Sequence, residues 1–210
     1  MDQDVSDINQ YAGYIYKFTQ RYFRLSETEL NRFLPYVEVR HFNKKAVILQ
    51  YGQVDNYLNL VVKGLVRKYT RLGKSEKTLQ LSTEGQLIQS EMSFHTRIPS
   101  SIIIEALEPC ILVSMRYDHI QHVLETIPGA EQLARQMMTY VFIKKDARYF
   151  KQLKNSTRQR FLNYVTNHPN MLQRVPQKIL ASYLDIKPET FSRLKHLLKD
   201  HSKEEKKIKD

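Results

Sequence analysis

The chain has 210 residues, 33 Lys and Arg against 22 Asp and Glu, a formal net charge of +11 and one cysteine. That length supports one large domain or two modest ones with their own cores. A lone cysteine excludes an intramolecular disulfide, and no Cys or His cluster has metal-ligand spacing. The polar, acidic start MDQDVSDINQ is unlike a secretory signal, and no apolar run reaches membrane-spanning length. Together these readings predict a protein of the reducing cytoplasm with no membrane partner. The positive excess is uneven: residues 144–210 hold 17 basic and 7 acidic side chains, whereas residues 1–143 hold 16 and 15. A basic segment of that kind is the footprint of a polyanion binder, because phosphate neutralisation and counterion release supply much of DNA affinity.

In chain order, Asp7 to Arg24 carries Ile8, Tyr11, Ile15, Phe18 and Tyr22 at three- and four-residue spacings, which predicts an amphipathic helix. Ser26 with Glu29 is a capping-box pattern that opens a second, short helix. From Val37 to Asp118 the period changes to that of strands. Seven short segments, VEVRHF, AVILQY, YLNLVV, LVRKYTR, KTLQLS, SIIIEAL and CILVSM, are separated by turn residues such as Gly52, Gly64, Gly73 and Gly85. They predict an antiparallel roll or sandwich with its own core. Cys110, inside an apolar run, reads as a small core side chain.

Tyr117 to Thr126 predicts a short helix ended by Pro128 and Gly129. Ala130 to Leu153 follows as the longest helical pattern, about 36 Å at 1.5 Å per residue. It is apolar on more than one side, so one side is expected to pack on the roll and another on a second copy of the chain, with Ala134, Met137 and Val141 at that seam. A further helix begins near Asn155 and ends at Asn167 to Pro169. The expected domains are therefore residues 1–129, a helix over 130–153, and residues 154–210.

Gln177 to His196, QKILASYLDIKPETFSRLKH, has the spacing of a helix-turn-helix. Two helices crossing steeply need a small residue where their backbones approach (Ala181), a residue tolerant of left-handed backbone at the turn (Asp185), and apolar side chains on the inner face of the second helix (Phe191, Leu194). Pro176 and Pro188 each suit the first turn of a helix. The second helix is expected from Pro188 to about Leu198, with Glu189, Thr190, Ser192 and Arg193 near its N-terminal end.

A roll, a long helix and then a helix-turn-helix resembles the Crp/Fnr family of bacterial transcription factors, over about Leu25 to Leu198. Glu189, Ser192 and Arg193 match the E-x-x-S-R pattern of that family's reading helix, and the run from Gly64 to Cys110 is similar to its cyclic-nucleotide-binding fold. The resemblance implies an α+β chain: an N-terminal antiparallel roll of the cyclic-nucleotide-binding type, a long dimerisation helix and a C-terminal DNA-binding helix-turn-helix. It implies a homodimeric regulator that binds double-stranded DNA, with RNA polymerase and an unidentified small-molecule effector as further candidate partners. Arg193 has the donors for a guanine O6 and N7, and Glu189 the acceptor for a cytosine amino group. Lys178, Lys187, Lys195 and Lys199 would serve phosphates. Glu91, Ser100 and Ser101 are the candidate effector pocket.

The sequence departs from the family at several positions. Ser90-Glu91 and Pro99-Ser100 stand where cyclic-AMP binders have Gly-Glu and Arg-Ser, so the phosphate loses its bidentate cation and tight cyclic-AMP binding is not expected. Asp185 stands where Gly is usual, Lys187 where Ser or Thr would cap the second helix, and Pro188 where an Arg often makes a third base contact. A winged hairpin is expected to be reduced or absent. No nucleophile and base pair, carboxylate dyad or phosphate-cradling glycine loop is legible, so no enzyme activity and no cofactor are expected. The competing reading is a small-molecule or protein-binding module whose helix-turn-helix no longer reads DNA.

Overall fold

The computed structural model describes residues 5–21 and 26–196. The first helix ends at Thr19, with Gln20 and Arg21 in a turn, short of the predicted Arg24; the predicted end of the last helix at Leu198, with Lys199, lies outside the described residues. Two compact units are present: residues 1–70 with 79–145, and residues 71–78 with 146–210.

In the first unit, helix α1 (Val5–Thr19) presents Ile8, Tyr11, Ile15 and Phe18 along one stripe, three of them buried. Ser26 and Glu29 form the predicted capping box ahead of α2 (Glu27–Asn31): Ser26 Oγ accepts from the Glu29 amide at 3.2 Å, and Glu29 accepts from the Ser26 amide at 2.7 Å. A 3-10 turn (Leu34–Tyr36) leads into the strands.

These strands are β1 (Val37–Phe42), β2 (Val47–Leu49), β3 (Tyr57–Lys63), β4 (Val66–Leu72), β5 (Ser75–Ser82), β6 (Leu87–Ile88), β7 (Ile103–Ala106) and β8 (Cys110–Arg116). They form two four-stranded sheets, ordered β1-β8-β3-β6 and β2-β7-β4-β5. All seven predicted strands are present. The eighth, β6, is two residues long, too short to show a period of two, and exists because it pairs Asn59 with Ile88 and Leu60 with Leu87 on β3. Strand β2 is shorter than its apolar run, and its pairing with β7 shifts between Val47 and Leu49.

Alternation along β3 and β8 divides the core. Val61 pairs with Leu112, and both join Leu49, Val66, Ile88, Ile104 and Ala106 in one buried cluster. Their neighbours Leu60 and Val113 point to the other face and pack with Ile15, Phe18, Leu30 and Val37. Burial of each such side chain contributes about 1.5 to 3 kcal/mol. Cys110 belongs to the first cluster, and burial pushes its thiol pKa up. Beside it, Gly64 adopts φ +96, and a Cβ there would stand 2.5 Å from the Pro109 carbonyl oxygen, so only glycine fits this turn.

Helix α3 (Glu91–Thr96) follows β6, and α4 (Tyr117–Thr126) follows β8. Helix α5 (Ala130–Lys154) is continuous over 25 residues, and the change from one unit to the other falls between Lys145 and Asp146. Ala130 and Leu133 join Phe33, Val123 and Ile127 in a third buried cluster. No described helix is long and apolar enough to cross a membrane.

In the second unit, α6 (Thr157–Asn167) opens on a capping box that the sequence reading passed over, Ser156 with Gln159. Helix α7 (Met171–Arg174) and helix α8 (Gln177–Leu184) follow, and residues 188–196 form α9. Phe161, Leu180, Ala181 and Phe191 are each fully buried, and the Phe161 and Phe191 rings meet edge to face at 5.0 Å.

Candidate functional sites

The turn between α8 and α9 is built by the residue types that predicted it. Ala181 has no exposed surface, so the helices approach closely at its position. Asp185 adopts φ 57 and ψ 50, the left-handed conformation. Its amide donates to the Ser182 carbonyl and the Ile186 amide donates to the Ala181 carbonyl at 2.9 Å, the paired pattern that ends a helix on a left-handed residue. Ile186 is buried and Pro188 occupies the first turn of α9. Pro176 is the N-cap of α8 rather than a first-turn residue, with extended backbone at ψ 135.

Two residues that the spacing could not reveal complete the turn. Arg160, half-buried on α6, donates to the carbonyls of Leu184 at 3.0 Å, Asp185 at 2.9 Å and Asn155 at 3.0 Å. One guanidinium thus satisfies acceptors at the end of α8 and at the start of α6, which its fork of donors suits. Lys77 forms an ion pair with Asp185, and this contact holds the Asp185 carboxyl below its usual pKa. Arg148 stacks on Tyr183 at 3.9 Å and donates to its carbonyl. Tyr164 packs edge to face on the same ring, and burial pushes its phenol pKa up.

On the outer side of this pair, Lys178, Lys187, Glu189 and Arg193 are exposed, while Thr190, Ser192 and Lys195 are half-buried. Glu189 and Arg193 are four residues apart and so share one face of α9. A carboxylate acceptor and a guanidinium donor fork on one helical face can contact adjacent base edges. Phe191, between them in sequence, is turned inward.

The roll holds a second cluster, where the sequence reading placed an effector pocket. The Lys68 side chain, 4% exposed, donates to both oxygens of Glu91, at 2.9 and 3.0 Å, and to the Gln89 carbonyl at 3.0 Å. Lys145, on α5, pairs with the same carboxylate at 2.8 Å. Burial pulls the Lys68 pKa down despite Glu91; burial pushes Glu91 up, but the two lysines outweigh it and its pKa is lowered.

Ser100 Oγ is likewise engaged within the chain. It donates to Ser90 Oγ at 2.9 Å and accepts from the Ile102 amide. Ser101 is exposed, and its carbonyl accepts from Thr70. Asp55 is held up in pKa by burial and accepts from the Ser90 amide at 2.6 Å. Arg97, the arginine nearest to Pro99, has left-handed backbone at φ 61; its guanidinium lies over Tyr117 at 3.9 Å and donates to the Asp55 carbonyl at 2.8 Å. Glu91 and Ser100 therefore meet partners in the protein itself, Ser101 stands apart from them on the surface, and Arg97 is committed to a structural contact.

On α5, Ala134, Met137 and Val141 share a face and are half-buried. Met137 packs on two of the first unit's buried clusters. A different set is exposed: Met138, Phe142, Ile143, Tyr149, Phe150 and Leu153, with Phe142 at 71%.

Comparison with known proteins gives these sites a context. The family model of the cyclic nucleotide-binding domain matches residues 39–127. A comparison with curated protein sequences found no match. Among solved structures, the chain is similar to CLP, a c-di-GMP responsive global regulator of Xanthomonas campestris, with 15% identity, 84% of this chain and 93% of that one covered, and a TM-score of 0.66. It is similar to the Thermus thermophilus catabolite activator protein with 22% identity, 86% and 87% coverage and a TM-score of 0.51. A protein of Eubacterium rectale assigned to the Crp/Fnr family of transcriptional regulators matches with 14% identity, 86% and 88% coverage and a TM-score of 0.64. At these identities the likeness is one of fold. Residues 39–127 thus match the cyclic nucleotide-binding domain model, within a chain whose fold is similar to that of these regulators.

Proposed function

We propose that the protein is a homodimeric, sequence-specific DNA-binding transcription regulator. The carrying observation is the helical pair α8 and α9, closed by a left-handed Asp185 and presenting Glu189 and Arg193 together on an exposed face. Arg193 reads a guanine through paired donors and Glu189 accepts from a cytosine, each such contact contributing about 1 to 3 kcal/mol of discrimination. Lys178, Lys187 and Lys195 fix register on the backbone, with Thr190 and Ser192 beside them. Placing α9 in a major groove uses the positive excess of residues 144–210 where the phosphates would be.

The dimer seam is proposed on α5, along the exposed apolar side chains Met138, Phe142, Tyr149 and Leu153 beside Ala134, Met137 and Val141. Two reading helices joined through such a seam address half-sites about one DNA turn apart. The roll supplies a sensing domain that does not take cyclic AMP tightly: Arg97 is engaged with Tyr117 and Asp55, and Glu91 with Lys68 and Lys145. An effector of other chemistry would act by shifting the population between arrangements of different DNA affinity. Binding selection against random duplex DNA at near-physiological salt tests the reading. A two-fold-symmetric enriched motif is the expected result, and a pool that stays random overturns it.

A further inference from the structure

The tip of the β4–β5 hairpin, residues 71–78, belongs to the same compact unit as the helical pair. Its attachment is to the turn that launches α9. Ser182 Oγ accepts from the Thr78 amide at 2.9 Å and lies 3.1 Å from the Glu76 carbonyl, to which it donates; Lys77 pairs with Asp185. A backbone amide, a backbone carbonyl and an ion pair together fix the tip against the end of α8. The segment RLGKSEKT carries Arg71, Lys74 and Lys77 against one acid, Glu76, and both Arg71 and Lys74 are exposed. Among the described residues no strand follows Arg116. With the tip in place, Lys178, Lys187, Glu189 and Arg193 all remain exposed, so the tip does not cover the face that would read bases.

We infer that this hairpin tip is a third part of the DNA-binding surface, a clamp for the phosphate backbone of duplex DNA. Lys77 and Ser182 hold the tip in register with α9, and Arg71 and Lys74 bind phosphates flanking the bases that α9 reads. Recognition at the clamp is electrostatic and independent of sequence. The inference rests on the DNA-binding reading above, so its test must separate the two.

The experiment measures duplex binding against salt for the full chain and for the double variant Arg71→Ala/Lys74→Ala, using the wild-type selected site and an unrelated duplex of equal length. Both side chains are exposed, so the variant should melt as the wild type does. Each phosphate contact contributes about 0.9 to the slope of log affinity against log salt, and the proposed homodimer carries two tips, so the variant loses four contacts and its slope should be shallower by about 3.6 on both duplexes. Between about 50 and 200 mM salt it should lose on the order of a hundredfold less affinity than the wild type, while selecting the same motif. An unchanged slope overturns the clamp while leaving the DNA reading intact, and so does tighter binding by the variant, which would make the tip a hindrance. A wild-type chain that binds neither duplex overturns the reading and the clamp together.

Discussion

Lys68 is the residue whose environment constrains the roll most. An ammonium with 4% of its side chain exposed is tolerable only because Glu91 and the Gln89 carbonyl meet its donors. Glu91→Gln should therefore destabilise the protein by about 3 kcal/mol, the cost of leaving a buried charge without its partner. The double variant Lys68→Met/Glu91→Leu should recover most of that loss. Urea denaturation of the wild type and both variants checks this, and a double variant no more stable than Glu91→Gln would contradict the pairing. The same engagement bears on ligands, since Glu91 already has two cationic partners and the cyclic-AMP phosphate would find no free arginine. Calorimetry with cyclic AMP should show no tight binding, and sub-micromolar affinity would show that the roll takes the nucleotide by another arrangement. Pro99 and Ser100 made the missing arginine legible in the sequence. The Lys68–Glu91–Lys145 cluster was not legible, because its members lie on β4, α3 and α5 and only the fold brings them together.

At the scale of elements, the α8–α9 turn was legible nearly in full, because each constraint on it is local: Ala181 for close approach, Asp185 for left-handed backbone, Pro188 for the first turn. What holds the turn came from elsewhere in the chain. Arg160 reaches it from another helix, and Lys77 from a hairpin more than a hundred residues earlier. The Lys77 pair lowers the Asp185 pKa, so its contribution is fully present above the ordinary carboxylate range and is lost as pH falls through the folded value. Carboxyl-carbon NMR should place the Asp185 midpoint below the ordinary value of about 3.9, and Lys77→Ala should return it there. A midpoint indifferent to Lys77 would show that the hairpin tip does not hold the turn. Elements set by long-range pairing were harder to read. Strand β6 exists only through two residues of β3, and β2 carries a register shift against β7 that its apolar run does not announce.

For the whole molecule, α5 carries the argument about assembly. Its apolar residues lie on more than one side, and composition alone does not say which side meets the roll. Met137 meets the chain's own core, whereas Met138, Phe142, Tyr149 and Leu153 are exposed. An exposed row of large apolar side chains on one helix is costly in water unless covered, and the proposed second copy would cover it symmetrically. Phe142→Glu should convert a dimer to a monomer in analytical ultracentrifugation and weaken binding to a two-half-site duplex far more than to a single half-site. A wild-type chain that sediments as a monomer at micromolar concentration would remove the seam.

The central claim is that α9 reads bases through Arg193 and Glu189, and selection with an altered reading helix tests it most directly. Wild-type protein should enrich a palindromic motif with a guanine at one fixed position in each half-site. Arg193→Ala should lose preference at that position alone, by about 1 to 3 kcal/mol, and keep the rest of the motif. Enrichment of the same motif with equal strength by the Arg193→Ala variant would contradict the account.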